Sequence, residues 1–166
     1  MAIEHDYFGA LSAGGDGTLS WSDRIDFADQ SVLVDVTAAD ESELDRHALD
    51  AAARVVVNLE AVDDSVRRRM LSETDDRTSE VTEFILRAIQ EHGDDLEDYL
   101  VDVSGDMNVD VIRSLKLVNM TILAEEVAPD KGFAIMEYVL DVDEMGDSLL
   151  VNLCADGSVE SVISGA

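Results

Sequence analysis

Residues 148–164 read SLLVNLCADGSVESVIS. Two segments rich in apolar and β-branched residues flank Asp156-Gly157. That dipeptide tolerates the pair of positive φ angles a two-residue type I′ turn requires, so the stretch predicts a hairpin with Gly157 at φ > 0. Residues 133–142 have a similar composition, and Val118, Met120, Ile122 and Ala124 fall on one face of an alternating run. The C-terminal third therefore reads as a meander of strands ending in a hairpin.

Strands are expected at the other end too, over 6–9 and 18–37. Val32, Val34 and Val36 share a face, and Ala28-Asp29-Gln30 makes a turn between 21–27 and 31–37. Between the two strand regions the period changes. Asp40 and Glu43 form a capping box, with Asp40 as N-cap, ahead of a helix over 41–61 whose stripe is Leu44, Ala48, Ala51, Ala52, Val55, Leu59 and Val62. A second helix is expected over 64–73. A third, over 79–92, carries Val81, Phe84, Ile85, Ala88 and Ile89 and ends at Gly93. Asn108 is placed as the cap of a short helix through Leu115. The order strands, helices, strands predicts an α+β fold: an antiparallel sheet with three to four helices inserted and packed on one face, in a single domain over 1–166.

The charge is lopsided. Asp and Glu number 38 against 11 Lys and Arg, a formal net charge of -27. Such a surface repels nucleic acid and anionic membranes, so neither is an expected direct partner. The carboxylates serve either as a solvation shell suited to high salt or as a field that steers a basic partner. The head of the chain lacks the basic and apolar regions of a signal peptide, and no apolar run has the roughly 20 residues that span a bilayer. The expectation is a cytoplasmic protein.

One basic run stands out, VDDSVRRRML at 62–71. On a helix its arginines fan out by about 100° per residue, so they form no compact patch. Asp63–Arg67, Asp64–Arg68 and Arg69–Glu73 sit at (i, i+4) spacing, as do Asp50–Arg54 and Glu83–Arg87. The run reads as local pairing. An anion site there needs a second basic element nearby, and none adjoins it in sequence.

Other chemistries find no pattern. His5, His47 and His92 have no ligand partner at metal spacing, and Cys154 is the sole cysteine, expected buried and inert. Asp141 to Gly146 opens like a calcium loop, but Asn152 stands where the bidentate glutamate is needed. A weak cation near Asp141 and Asp143 is left open. Ala13 to Gly17 lacks the lysine of a phosphate loop. No catalytic, cofactor-binding or metal residue is assigned and no cofactor is expected.

The strongest interaction feature is GDDLEDYLVDVSGDMNVD, residues 93–110. Seven acids and no base are interleaved with Leu96, Tyr99, Leu100, Val101 and Val103. An acidic rim around an apolar centre suits a basic protein. Its candidate partner-binding residues are Asp94, Asp95, Glu97, Asp98, Tyr99, Asp102 and Asp106.

Several stretches resemble an uncharacterised prokaryotic family, the domain-of-unknown-function family numbered two thousand and four. They are His5-Asp6-Tyr7-Phe8-Gly9-Ala10-Leu11, IDFADQSVLVDV at 25–36, SLKLVNMTILAEE at 114–126, and GFAIMEYVLDV followed by SLLVNLCADGSVESVIS. The resemblance implies a small standalone binding or immunity-type protein and supplies no catalytic residue. The functional expectation is a protein that covers a basic protein partner. The alternatives are a DNA-mimic inhibitor and a salt-adapted enzyme with dispersed active-site residues.

Overall fold

The computed structural model describes residues 3–13, 19–28, 30–38, 46–124, 132–141 and 147–165. Eight strands are hydrogen-bonded in the order in which the chain makes them. β1 (Ile3–His5), β2 (Gly9–Ala13), β3 (Leu19–Phe27) and β4 (Gln30–Ala38) form one antiparallel meander. The helices follow: α1 (Arg46–Val57), α2 (Leu59–Glu73), α3 (Glu80–His92), a 3₁₀ helix (Gly93–Tyr99) and α4 (Met107–Ser114). β5 (Lys116–Leu123), β6 (Ala134–Val139), β7 (Ser148–Leu153) and β8 (Val159–Gly165) form a second antiparallel meander.

The two meanders meet at β4 and β5, which run parallel with Leu33 opposite Asn119 and Val36 opposite Ile122. The α+β fold with helices inserted between two strand regions is as expected. The parallel joint is the refinement, and it follows from the connection. Adjacent parallel strands need a crossover of a dozen or more residues, and the helices supply it.

Register sets the core. Val34, Met120, Met136 and Val151 lie in one row across β4 to β7, and all are fully buried. Ala52, Val66, Met70, Val81, Phe84 and Ile85 come down on this face from the helices and complete one continuous cluster. Each such side chain contributes about 1.5–3 kcal/mol on burial. The opposite face of the sheet keeps Leu123, Ile135 and Ile163 exposed.

Several local expectations are corrected. Residues 6–8 are a turn between β1 and β2, not a strand. One helix over 41–61 is replaced by a break at Asn58, whose Nδ2 donates to the Arg54 carbonyl (2.8 Å) beside its own backbone N–H (3.0 Å). The Asp40 capping box lies outside the described residues. Ile89 is 37% exposed, so the buried stripe of α3 ends at Ala88. This helix packs over β7 and β8, on the sheet face that carries Met120 and Ile122. Glu80 in its first turn accepts from the backbone N–H and hydroxyl of Ser164, which fixes it to β8.

On β5 a bulge between Leu117 and Asn119 turns Val118 out of the core row, and Leu117 takes the buried place. Asp106, not Asn108, caps α4 by accepting from Val109 N (3.3 Å). The last hairpin has Gly157 at φ 85, as expected, but Asp156 does not have positive φ. The Gly157 N–H bonds the Cys154 carbonyl (2.9 Å) and the Cys154 N–H bonds Ser158 O (2.9 Å). The loop is therefore a three-residue turn with glycine in the left-handed position, not type I′.

Candidate functional site

The acidic segment leaves α3 at Gly93, which takes a positive φ of 54 and closes the helix on the Ile89 carbonyl. Asp94, Asp95, Glu97 and Asp98 lie exposed on the 3₁₀ helix, while Leu96 between them is buried. Tyr99 is half-buried at its end, with its ring centroid 4.5 Å from that of His92. The chain then runs over the surface to α4. Asp102 is exposed there, and Asp106, also exposed, caps that helix.

This path exposes apolar side chains that a solvated loop does not need. Val101 is 70% exposed, Val103 58% and Met107 37%. Six carboxylates of the segment are exposed as well, and it has no basic residue. The structure thus places all seven residues selected from sequence in one continuous stretch. Leu100 is half-buried rather than outward, and Met107, which the apolar pattern of 96–103 did not reach, joins Val101 and Val103.

The seventh acid of the segment has a different task. Asp110 is 1% exposed and accepts from the Ser104 backbone N–H (2.9 Å) and the Ser104 hydroxyl (2.6 Å). The hydroxyl bond, opposed by burial, holds its carboxyl below the usual carboxylate range. The Ser114 hydroxyl donates to the Asp110 carbonyl (2.7 Å) and accepts from Val101 N–H (2.9 Å). Residues 101 and 104 are thereby pinned to α4, and the loop presents Val103 from a fixed frame.

The arginine run meets this frame from the other side. Arg67 Nε donates to Asp63 Oδ2 (2.9 Å), Nη1 to the Ile112 carbonyl (2.6 Å) and Nη2 to the Leu115 carbonyl (2.8 Å). Asp63 is buried and also accepts from the hydroxyl of fully buried Tyr138 (2.7 Å). The guanidinium sits 5.4 Å from the centroid of that ring. Burial first, then the Asp63 charge, pushes the Tyr138 phenol well above its ordinary value, so it stays a donor. Arg67 therefore caps the end of α4 and neutralises a buried acid.

The expected Asp63–Arg67 and Arg69–Glu73 pairs are present, the latter at 3.6 Å. Arg87 pairs with Asp147 (2.9 Å) instead of Glu83, and Asp50 bonds His5 (2.8 Å). Among the described residues no ion pair joins Asp64 to Arg68 or Asp50 to Arg54. Sequence spacing found the Asp63 contact of Arg67. It gave no signal for the carbonyls of residues 112 and 115, which lie 45 and 48 positions away.

Among the described residues no group of His, Cys, Asp and Glu could hold a metal ion. Among the described residues no helix is long and apolar enough to cross a membrane. A small cavity of about 30 Å³ beneath α3, lined by Phe84, His92, Leu140, Asp141 and Asp147 among others, has room for about one water. No family model, no curated protein and no solved structure matches the chain.

Proposed function

We propose that the chain works by binding, and that residues 93–107 are the surface it presents to a basic protein partner. What supports this reading is the joint exposure of Val101, Val103 and Met107 on a segment that carries six exposed carboxylates. Apolar anchors at the centre of a contact supply most of its affinity, and the charged rim sets orientation and on-rate. The two pins to Asp110 and Ser114 lower the ordering cost of the loop on association. An immunity-type role, in which a basic toxin is covered and silenced, is one form of this function.

The reading is tested on the labelled protein by titration with a synthetic peptide alternating lysine and leucine. Amide shifts are expected to concentrate at 93–107. Replacing Val101, Val103 and Met107 together by serine should weaken binding about tenfold or more, while the association rate should fall as salt rises. Shifts spread evenly over all acidic surfaces would leave only bulk charge at work and remove the case for this segment.

A further inference from the structure

A cleft of about 130 Å³ opens beside the α4–β5 junction, at the end of the sheet where β3 turns into β4. Its cations come from three elements: Arg67 on α2, Arg113 on α4 and Lys116 on β5. Three of the 11 basic residues of a chain with net charge -27 thus line one small space. Among the described residues lining it there is no carboxylate. Elsewhere Arg69 meets Glu73 and Arg87 meets Asp147.

The donors of this cleft are only partly used. Arg67 spends Nε on Asp63, Nη1 on the Ile112 and Arg113 carbonyls and one Nη2 N–H on the Leu115 carbonyl, which leaves an Nη2 hydrogen. Lys116 Nζ donates once, to the Leu140 carbonyl (3.1 Å), and retains two hydrogens. Arg113 is exposed and enters no ion pair among the described residues. The carbonyls at the end of α4 normally disfavour an anion, but Arg67 occupies those of residues 112 and 115. Among the described residues lining the cleft, Arg113 and Lys116 enter no ion pair.

Apolar residues line the cleft as well: Phe27, Val101 and Leu117. The rim residue Ala28 holds φ 49, a left-handed conformation that alanine seldom adopts, and it keeps Phe27 directly across from Gln30 on the same side of the cleft. A cavity of about 150 Å³ with apolar walls accommodates a benzene-sized molecule, so this one matches a ring or short branched chain.

We propose that the cleft is a binding site for a small organic carboxylate, with the acid group against Arg113 and Lys116 and the hydrocarbon against Phe27 and Leu117. It is a second site, which shares only Val101 with the partner surface at 93–107. It also supplies what the arginine run lacked in sequence: the second basic element comes from residues 46 and 49 positions after Arg67.

The probe is benzoate, with benzamide and inorganic phosphate as controls, read by amide shifts of Ala28, Val101 and Lys116. Benzoate is expected to shift these amides saturably at concentrations up to about 50 mM, with benzamide and phosphate much weaker. Arg113→Gln, a change at an exposed position, should raise the Kd for benzoate about tenfold or more, because a charge-assisted bond is lost. Lys116→Gln should act in the same direction, and Arg68→Gln on the exposed side of α2 should change nothing. Melting curves of the variants confirm that they fold. Absence of saturable shifts, an equal response to benzamide or phosphate, or indifference to both Arg113→Gln and Lys116→Gln overturns the assignment. None of these outcomes bears on the lysine–leucine peptide.

Discussion

Two charged regions lie side by side in this molecule and are built in opposite ways. Around Arg67 every charge is answered: Asp63, two backbone carbonyls and the Tyr138 hydroxyl close a buried cluster. Along 93–107 the charges face water, and the apolar groups between them face water as well. The first region holds α2, α4 and β6 together, and loss of one member leaves the others unpaired. The second contributes little to the fold, and its side chains remain available. Of the exposed acids on 93–107, Asp106 has a structural role as the cap of α4.

The sharpest break of the contrast is Arg67→Ala. It leaves Asp63 with a single partner and uncovers the end of α4, so it should cost about 3 kcal/mol or more in denaturant unfolding. Arg68→Ala, one residue on and exposed, should stay within about 0.5 kcal/mol. Equal losses for the two would return the run to simple surface pairing.

Tyr138→Phe removes one bond to Asp63 and keeps the ring under Arg67. An expected loss of about 1–2 kcal/mol follows from the reduced satisfaction of a buried acid. The raised phenol also sets a direction with pH. A group whose folded value lies above its unfolded one stabilises below the ordinary value, about 10, and loses that contribution as pH rises through the folded value. The gap between wild type and Tyr138→Phe should therefore narrow in strong alkali, as read from melting temperatures.

Ser104→Ala should have a smaller effect with the opposite pH sense. The folded Asp110 value is depressed, chiefly by the Ser104 hydroxyl. Its contribution is present above the ordinary carboxylate value of about 3.9 and disappears as pH falls through the depressed one. In the variant, a carboxyl-detected NMR titration should place Asp110 closer to the ordinary value. Wild type and variant should differ in stability near neutral pH and converge in acid. An unmoved Asp110 titration would show that the backbone N–H of residue 104 suffices.

Least of all should follow from Asp94→Asn, Asp95→Asn and Asp98→Asn together. These carboxylates are exposed, and their change should leave stability within about 0.5 kcal/mol, or raise it slightly as repulsion falls. Association with the lysine–leucine peptide should nevertheless slow and lose salt dependence. A large loss of stability would mean that the acidic segment belongs to the fold after all.

Much of this architecture is legible in local pattern. Val32, Val34 and Val36 alternate because one face of β4 is buried, and Val81, Phe84, Ile85 and Ala88 recur because one side of α3 is. The exposed segment was visible too, since an acid-rich stretch with apolar residues cannot bury all of them. What local pattern did not carry are features decided by distant contacts. The β5 bulge against β6 shifts Val118 although the alternation runs on past it. The same is true of the cleft: Arg67, Arg113 and Lys116 become neighbours only when α4 docks on α2.

The parallel joint between β4 and β5 also bears on how the chain finds its fold. Within each meander the paired strands follow one another with no helix between them, so each can zip from its own turns. Leu33 and Asn119 are 86 positions apart (119 minus 33), and their pairing must close that whole span. Chain length alone makes the closure cost about 4 kcal/mol of entropy. Folding speed should then depend on this one seam: stabilising it accelerates assembly, whereas tightening a hairpin elsewhere mainly delays unfolding.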